Sequence, residues 1–202
     1  MTSVPESRTI VGESPLHSAN EAEEVRVLME GCRSGDRQCQ ERLYKRFYGY
    51  AMAVALAYSK EREDAIEVVN DSFMKVFDKA DTFVTSDPFK PWLRRIVIHT
   101  AIDQGRRMKR FQATSLDQVA EPETPRPAID STLHAREILS LLHGLTESQR
   151  FVFNMYEIEG YSHREIARKL GIAESSSRTY LVRARERLKE LYRNQDREAK
   201  NG

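Results

Sequence analysis

The segment from residue 145 to residue 191 constrains the fold most, because it contains two helix starts and one helix stop in close succession. Thr146 with Gln149, and Ser162 with Glu165, fit the capping box, in which a hydroxyl and an amide or carboxylate satisfy the free N–H groups of a first helical turn. Gly171 can end the second of these helices in the left-handed conformation. Another helix begins about three residues later. This spacing predicts a helix-turn-helix, whose second helix enters the major groove of DNA.

The helix after Gly171 has two faces of different character. Its predicted buried stripe follows helical spacing and consists of Ser177, Leu181, Ala184, Leu188 and Leu191. The polar residues near its N-terminus point elsewhere, and their hydroxyl and guanidinium groups suit phosphates and base edges. Residues 161–193 contain nine Lys and Arg against four Asp and Glu. This local excess of positive charge favours a nucleic-acid partner over an ordinary solvated face.

Charge is segregated along the rest of the chain. The 202 residues carry a formal net charge of only +1. Residues 61–81 nevertheless contain seven acidic and three basic residues, whereas residues 92–110 contain six basic residues and one acidic residue. Such segregation predicts separate surfaces for separate partners.

Helical periodicity divides the chain into two units. We predict a disordered tail over 1–20, a helical domain over 21–110, a flexible linker over 111–130, a second helical domain over 131–194 and a frayed tail over 195–202. Within the first domain, Asp36 is a plausible helix cap, further helices cover about 64–79 and 92–110, and the prolines of the segment 82–91 predict a loop. The expected fold is all-α, with two small helical domains joined by a flexible linker.

The first domain contains two helices with charged stripes. On the helix over 64–77, an acidic stripe lies opposite an apolar one, which indicates either solvation or a docking surface. On the helix over 92–110, Arg95, His99 and Arg106 are spaced to follow a phosphate backbone. Phe83 in the preceding loop can either pack in the core or receive an unstacked base, and both alternatives stay open.

The targeting and cysteine signals are weak. The sequence contains no run of about 18 apolar residues, so it predicts no membrane span. The first 20 residues lack the apolar core of a secretion signal. Cys32 and Cys39 are expected to be reduced thiols of a cytoplasmic protein, with a redox-sensing pair as the alternative. No P-loop, metal-ligand pair or nucleophile constellation is present, so we expect no catalytic activity, no cofactor, no metal and no small-molecule substrate.

The ordered part of the chain resembles the extracytoplasmic-function (ECF), or group IV, sigma factors of the sigma-70 family. The resemblance rests on three segments in the same order: DAIEVVNDSFMKVF (64–77), FKPWLRRIVIHTAID (89–103) and YSHREIARKLGIAESSSRTYLVRARERL (161–188). It implies a sigma region 2 bundle and a sigma region 4 helix-turn-helix. It also implies the function of a transcription initiation factor that works with bacterial RNA polymerase.

The resemblance assigns roles to individual residues. Region 2 binds the core polymerase at the clamp helices of the β′ subunit, and the β subunit is a further contact. The residues implied in core binding are Asp64, Glu67, Asn70 and Asp71. Those implied in melting and reading the −10 promoter element are Phe83, Arg95, His99, Arg106 and Arg107. Those implied in reading the −35 element are Arg164, Ser175, Ser176, Arg178, Thr179 and Arg183.

The family also implies control by an anti-sigma factor that masks these faces. Such factors are often membrane-anchored, so the chain is expected in the cytoplasm or held at the inner membrane. Four positions depart from the family pattern. Asn70-Asp71 replaces the common Gln-Glu, and Ala173 replaces a frequent serine cap. Ser177 replaces a β-branched apolar residue, and its hydroxyl is expected to bond a carbonyl one turn back.

Two other classes of protein remain as alternatives. The C-terminal module also resembles the output domain of LuxR-type and response-regulator activators, which would require a receiver of alternating strands and helices in the first half. An enzyme with a DNA-binding tail is the other alternative, although the catalytic constellation it needs is missing.

Overall fold

The computed structural model describes the backbone of residues 15–84, 87–107 and 133–201, and the side chains within these ranges except those of 15–20, 107, 133–135, 196 and 198–201. Its α-helices are α1 (Pro15–Arg33), α2 (Arg37–Tyr58), α3 (Arg62–Asp78), α4 (Phe89–Arg107), α5 (Leu133–His143), α6 (Glu147–Phe153), α7 (His163–Leu170) and α8 (Glu174–Asn201). A short 3₁₀ turn, Ala80–Thr82, follows α3, and a π-helical turn, Asn154–Ile158, follows α6. The described residues contain no strand, so the predicted all-α fold is confirmed.

Helices α1–α4 form an N-terminal bundle around α2. The predicted cap of α2 is confirmed, because the Asp36 carboxylate accepts hydrogen bonds from the N–H groups of Gln38 and Cys39. Leu43, Phe47 and Ala51 of α2 are at most 2 % exposed. A receiver domain, as the activator alternative requires, does not fit a bundle whose described residues are helical.

The start of α4 differs from the predicted position. Pro91 was interpreted as a helix breaker, but it lies in the first turn of α4, which begins at Phe89. The first N–H groups of a helix have no partner inside the helix, so a proline there costs no hydrogen bond.

Both predicted tails are shorter than expected. Helix α1 begins at Pro15, within the segment 1–20, and proline is favoured at a first helical position because its φ is already helical. Helix α8 continues to Asn201 instead of fraying after residue 194. Residues 1–14 and the whole predicted linker 111–130 lie outside the described residues. Among the helices that the structure describes, none is long and apolar enough to span a membrane.

Helices α5–α8 form a C-terminal bundle, and its local signals are confirmed. Thr146 and Ser162 each form the predicted capping box with Gln149 and Glu165. Gly171 ends α7 at a φ of 70°. In the predicted stripe of α8, Ser177, Leu181 and Ala184 are buried, whereas Leu188 and Leu191 are half-buried.

The two bundles pack against each other, which the sequence did not predict. The apolar core continues from the N-terminal bundle into α6, α7 and α8. At this junction the rings of Tyr58 and Phe151 lie 5.2 Å apart in an edge-to-face arrangement. Helix α2 contacts α5 and α6, and α4 contacts α7.

Candidate functional site

The acidic face of α3, defined as Asp64, Glu67, Asn70 and Asp71, lies at the surface of the N-terminal bundle. Glu67 and Asn70 are exposed, whereas Asp64 and Asp71 are half-buried. The hydroxyl of Tyr44 donates a hydrogen bond of 2.9 Å to Oδ1 of Asn70 and thereby fixes the amide. Met74, 60 % exposed, continues the face by one further turn. The structure therefore brings the four predicted residues together beside an apolar side chain, as a docking surface for a protein requires.

Three of the four residues predicted on the basic face of α4 have described side chains. Arg95, His99 and Arg106 are exposed on this helix. Partial burial lowers the pKa of His99, and the ammonium group of Lys169 lowers it further. The imidazole is therefore neutral at pH 7 and can accept as well as donate. The side chain of Arg107, the fourth predicted residue of α4, lies outside the described residues.

A cavity of about 370 Å³ opens along this basic face. Its lining residues are Lys75, Lys79, Ile96, His99, Ile102, Asp103, Arg106 and Lys169. Lys75 lies in the last turn of α3 and Lys79 directly follows this helix. The sequence analysis missed both, although their i, i+4 spacing at the end of an otherwise acidic helix was a usable signal. One carboxylate, Asp103, lies among the cationic groups, and Lys75 Nζ is 3.5 Å from it. The cavity therefore favours an anionic partner.

Phe83 is a core residue, so its predicted role as an exposed base-receiving ring is wrong. Its side chain is 3 % exposed, and its ring lies 5.0 Å from that of Trp92 and 5.6 Å from that of Phe89. The Arg33 guanidinium donates a 2.7 Å hydrogen bond to the Phe83 carbonyl. The sequence left core packing and base capture open, and long-range packing with α1 and α4 decides for the core.

The N-terminal part of α8 carries the predicted polar face. Ser175, Arg178 and Thr179 are exposed, and Ser176 and Arg183 are half-buried. Arg178 forms an ion pair with Glu174 one turn earlier, and Thr179 Oγ1 donates a 3.0 Å hydrogen bond to the Ser175 carbonyl. The predicted Arg164 is exposed near the start of α7, and Val182, 52 % exposed, adds an apolar contact to the same face of α8. Guanidinium, hydroxyl and methyl groups together are those that read phosphates and base edges.

The angle between α7 and α8 is held by a polar contact that the sequence did not predict. Ser177 is fully buried, and its Oγ lies 3.0 Å from Nδ1 of His163 at the start of α7. The expected bond from Ser177 to a carbonyl one turn back is therefore replaced by a contact between the two helices. His163 in turn stacks on Tyr156, with the ring centroids 4.6 Å apart. This chain of contacts ties α8 to the turn that precedes α7.

A helical chain with an acidic face, a basic helix and a helix-turn-helix has the features of a nucleic-acid-binding protein that has a separate surface for a protein partner. Its sequence matches the families described as sigma-70 region 2, over residues 43–111, and sigma-70 region 4, over residues 135–188. The chain therefore belongs to the sigma-70 family. Members of this family are transcription initiation factors, and this chain is an RNA polymerase sigma factor.

Similar proteins extend over most of the chain. It is 28 % identical over 184 residues to the ECF RNA polymerase sigma factor SigM of Mycobacterium tuberculosis. The matched region covers 90 % of this chain and 89 % of that protein. It is 26 % identical over 172 residues to the ECF RNA polymerase sigma-E factor of Haemophilus influenzae, and the matched region covers 79 % of this chain and 90 % of that protein. A solved structure of the sigma factor RpoE in complex with the anti-sigma factor NepR from Bartonella quintana is 23 % identical, with a TM-score of 0.43. The match covers 86 % of this chain and 97 % of that chain.

Proposed function

We propose that three separate surfaces of this sigma factor divide the work of promoter-specific initiation. The acidic face of α3 docks on the β′ clamp helices of core polymerase. The basic face of α4, with Arg95, His99, Arg106 and Arg107, contacts the −10 element, and the polar face of α8 reads the −35 element. The observation that carries this division is the separation of charge, because the acidic face lies on α3 and the two cationic faces on α4 and α8.

A second contact with core polymerase is proposed for the C-terminal bundle. An apolar groove of about 330 Å³ lies between α5 and α8 and is lined by Ile138, Leu141, Leu142, Phe153, Leu188, Lys189 and Tyr192. Ile138 and Tyr192 are 58 % and 63 % exposed and lie in one groove, and a contiguous exposed apolar patch marks an interaction surface. We assign this groove to the β subunit, the second core partner implied by the family.

The chain supplies binding energy and no chemistry of its own in this proposal. No group of three or more His, Cys, Asp or Glu side chains in the described residues could hold a metal ion. The polymerase catalyses RNA synthesis, and the sigma factor selects where it starts. Because polymerase and promoter are both cytoplasmic, we place its action there. An anti-sigma factor, as the family implies, would control it by covering the acidic face and the DNA-reading faces.

A reconstituted run-off transcription assay tests the function. Core polymerase with this protein should initiate at specific sites on genomic promoter fragments where core polymerase alone does not. Glu67→Lys with Asp71→Lys should lower core affinity by roughly tenfold or more, since like charges then face each other across the interface. Glu23→Lys with Glu30→Lys makes the same charge change on exposed positions of α1 and should leave core affinity intact.

A second pair of variants separates promoter reading from core binding. Arg178→Ala with Arg183→Ala should weaken −35 recognition by roughly tenfold or more and flatten its salt dependence, while core binding is retained. Arg26→Ala with Arg37→Ala removes two exposed cations far from α8 and serves as the matched control. Loss of core binding in the Arg178 and Arg183 variant would overturn the division of surfaces.

A further inference from the structure

The Tyr44 hydroxyl of α2 contacts the acidic face of α3. It donates a 2.9 Å hydrogen bond to Oδ1 of Asn70. Burial raises the pKa of Tyr44, and the neighbouring Tyr48 raises it further, so the phenol keeps its proton at neutral pH and acts as the donor. An amide has one acceptor oxygen and an NH2 group with two donors. Because Oδ1 points towards α2, the NH2 group of Asn70 lies on the other side of the amide carbon.

The ring of Tyr44 is held in place by two aromatic neighbours. Its centroid lies 4.8 Å from that of Phe73 in an edge-to-face arrangement and 5.4 Å from that of Tyr48. Phe73 is 1 % exposed and belongs to α3, the helix that also carries Asn70. Ring pairs of this kind have preferred geometries. The Tyr44 hydroxyl is therefore a fixed point from which the Asn70 amide is oriented.

Folding stability does not account for this hydrogen bond. Asn70 is exposed and Tyr44 is half-buried. Water can satisfy an exposed amide, so a hydrogen bond between such groups adds little to the free energy of unfolding. Its main effect is to select one of the two ways in which the amide can face outward. An amide that is already oriented loses less conformational entropy when it binds a partner.

Asn70 differs chemically from the other three residues of the acidic face. The ionised carboxylates of Asp64, Glu67 and Asp71 only accept hydrogen bonds, whereas the Asn70 amide donates. Asn70 follows Glu67 by three positions and precedes Met74 by four, which places it between them on one side of α3. A partner that offered cations along the whole face would leave the NH2 group without an acceptor. The face therefore suits a partner with one acceptor oxygen among its cations.

We propose that Tyr44 is a positioning residue for core binding, because it turns the NH2 group of Asn70 outward to donate to a side-chain oxygen of the partner. The clamp helices proposed as that partner use their backbone carbonyls within their own helices, so the acceptor is a carboxylate or amide side chain. One donor among carboxylates also fixes the register, since a cation shifted to this position would face N–H groups. This inference rests on the proposed function, whose premise is core binding by the acidic face.

Asn70→Asp separates a specific donor from simple charge attraction. The two side chains have the same shape, and an aspartate still accepts the hydrogen bond from Tyr44 but has no N–H group. If charge alone governed docking, the added carboxylate would raise the affinity for a cationic partner. We expect instead that the affinity of the full chain for core polymerase, measured by fluorescence titration, falls by roughly fivefold or more. Gln38→Glu adds the same charge at an exposed position in the first turn of α2 and should leave the affinity unchanged.

Tyr44→Phe tests the positioning, because it removes only the hydroxyl. It should lower core affinity by roughly threefold while the urea midpoint of unfolding stays nearly unchanged, which a merely structural role would not produce. In the Asn70→Ala background the same substitution should have no further effect on affinity, since no amide is left to orient. Tyr48→Phe removes the hydroxyl of the half-buried tyrosine one turn further along α2 and is the matched control.

Three results would overturn the positioning role. They are an Asn70→Asp affinity equal to or above that of the wild type, an unchanged affinity of Tyr44→Phe, and effects of Tyr44→Phe and Asn70→Ala that simply add. Failure of the proposed function looks different, because Glu67→Lys with Asp71→Lys would then leave core affinity intact as well. If that pair lowers core affinity while the Tyr44 and Asn70 variants do not, the acidic face still docks on core polymerase and only the role of Tyr44 is rejected.

Discussion

Ser177 and His163 show how one polar pair can set the geometry of a DNA-reading unit. Burial is the largest cause that lowers the pKa of His163, and the neighbouring Arg178 lowers it further. The imidazole is therefore neutral at pH 7 and shares one hydrogen bond with the Ser177 hydroxyl. Because Ser177 is fully buried, no water replaces this partner if it is removed. The orientation of α8 relative to α7 depends on this bond.

A double-mutant cycle measures that dependence. Ser177→Ala should lower the free energy of unfolding by about 1 kcal/mol, and in combination with His163→Ala the losses should be less than additive by roughly 0.5–1.5 kcal/mol. Urea unfolding followed by circular dichroism gives these values. Ser175→Ala, at an exposed position of the same helix, should change stability by no more than about 0.5 kcal/mol. Strictly additive effects of Ser177→Ala and His163→Ala would contradict a direct bond.

Gly171 determines, at the level of whole helices, where α7 stops and α8 can begin. Its φ of 70° lies in the left-handed region, and a Cβ added there would meet no neighbouring atom within 4 Å. The preference for glycine is therefore one of backbone conformation and not of space. Gly49 differs, because it lies inside α2 with no such conformational demand and with open space around it.

Alanine substitution at these two glycines should have opposite effects. Gly171→Ala should destabilise the protein by roughly 1–2 kcal/mol, since it forces an alanine into the left-handed region. Gly49→Ala should stabilise it by roughly 0.5–1 kcal/mol, because alanine loses less backbone entropy in a helix. Thermal unfolding of both variants beside the wild type gives the sign directly. A stabilising Gly171→Ala would mean that α7 ends by another geometry.

The elements that the sequence predicted correctly are those marked by local chemistry. The four residues concerned act on groups within four positions of themselves, so their effects can be predicted from the sequence alone. They are Asp36, Thr146, Ser162 and Gly171. The burial of Phe83 and the contact of Ser177 with His163 depend on helices distant in sequence or on the packing of a turn. The end of α8 was misplaced because its polar composition resembles a frayed tail. The residues assigned to core polymerase and promoter contacts stay predictions, except for Phe83, which the structure corrects.

The packing of the two bundles was not predictable from sequence periodicity. Arg150 and Asn154 resemble ordinary polar residues of an amphipathic helix, but in the structure they donate hydrogen bonds to the carbonyls of Tyr58 and Ala57 at the end of α2. Opposite charges such as those of the Arg94–Glu159 ion pair are abundant in a chain with 32 basic and 31 acidic residues, so no pair stands out. At the scale of the whole molecule, these contacts can be recognised only when both bundles are in place.

His143 makes the packing of the two bundles sensitive to pH, because its Nε2 lies 3.2 Å from the Leu56 carbonyl near the end of α2. Its Nε2 must carry the proton, since the Leu56 carbonyl only accepts, and its Nδ1 is buried without a hydrogen-bond partner. Burial is the main cause that lowers the pKa of His143; Arg150 lowers it further, whereas the Leu56 carbonyl and Glu61 oppose the shift. His99 has a pKa lowered by burial and by Lys169, with Asp103 opposing and Lys75 and Lys79 reinforcing the shift. Both imidazoles therefore favour the packed arrangement of the two bundles in their neutral form.

The packing of the two bundles should weaken as the pH falls through the ordinary histidine pKa of about 6.5, because separated bundles would then bind more protons. Small-angle scattering should show a radius of gyration that increases between about pH 7.5 and pH 5.5. His143→Gln keeps a donor for the Leu56 carbonyl but does not titrate, so together with His99→Gln it should flatten this response. His163→Gln should not, since the groups that face His163 all belong to the C-terminal bundle. A radius that is independent of pH in the wild type would show that neither imidazole is coupled to the packing of the two bundles.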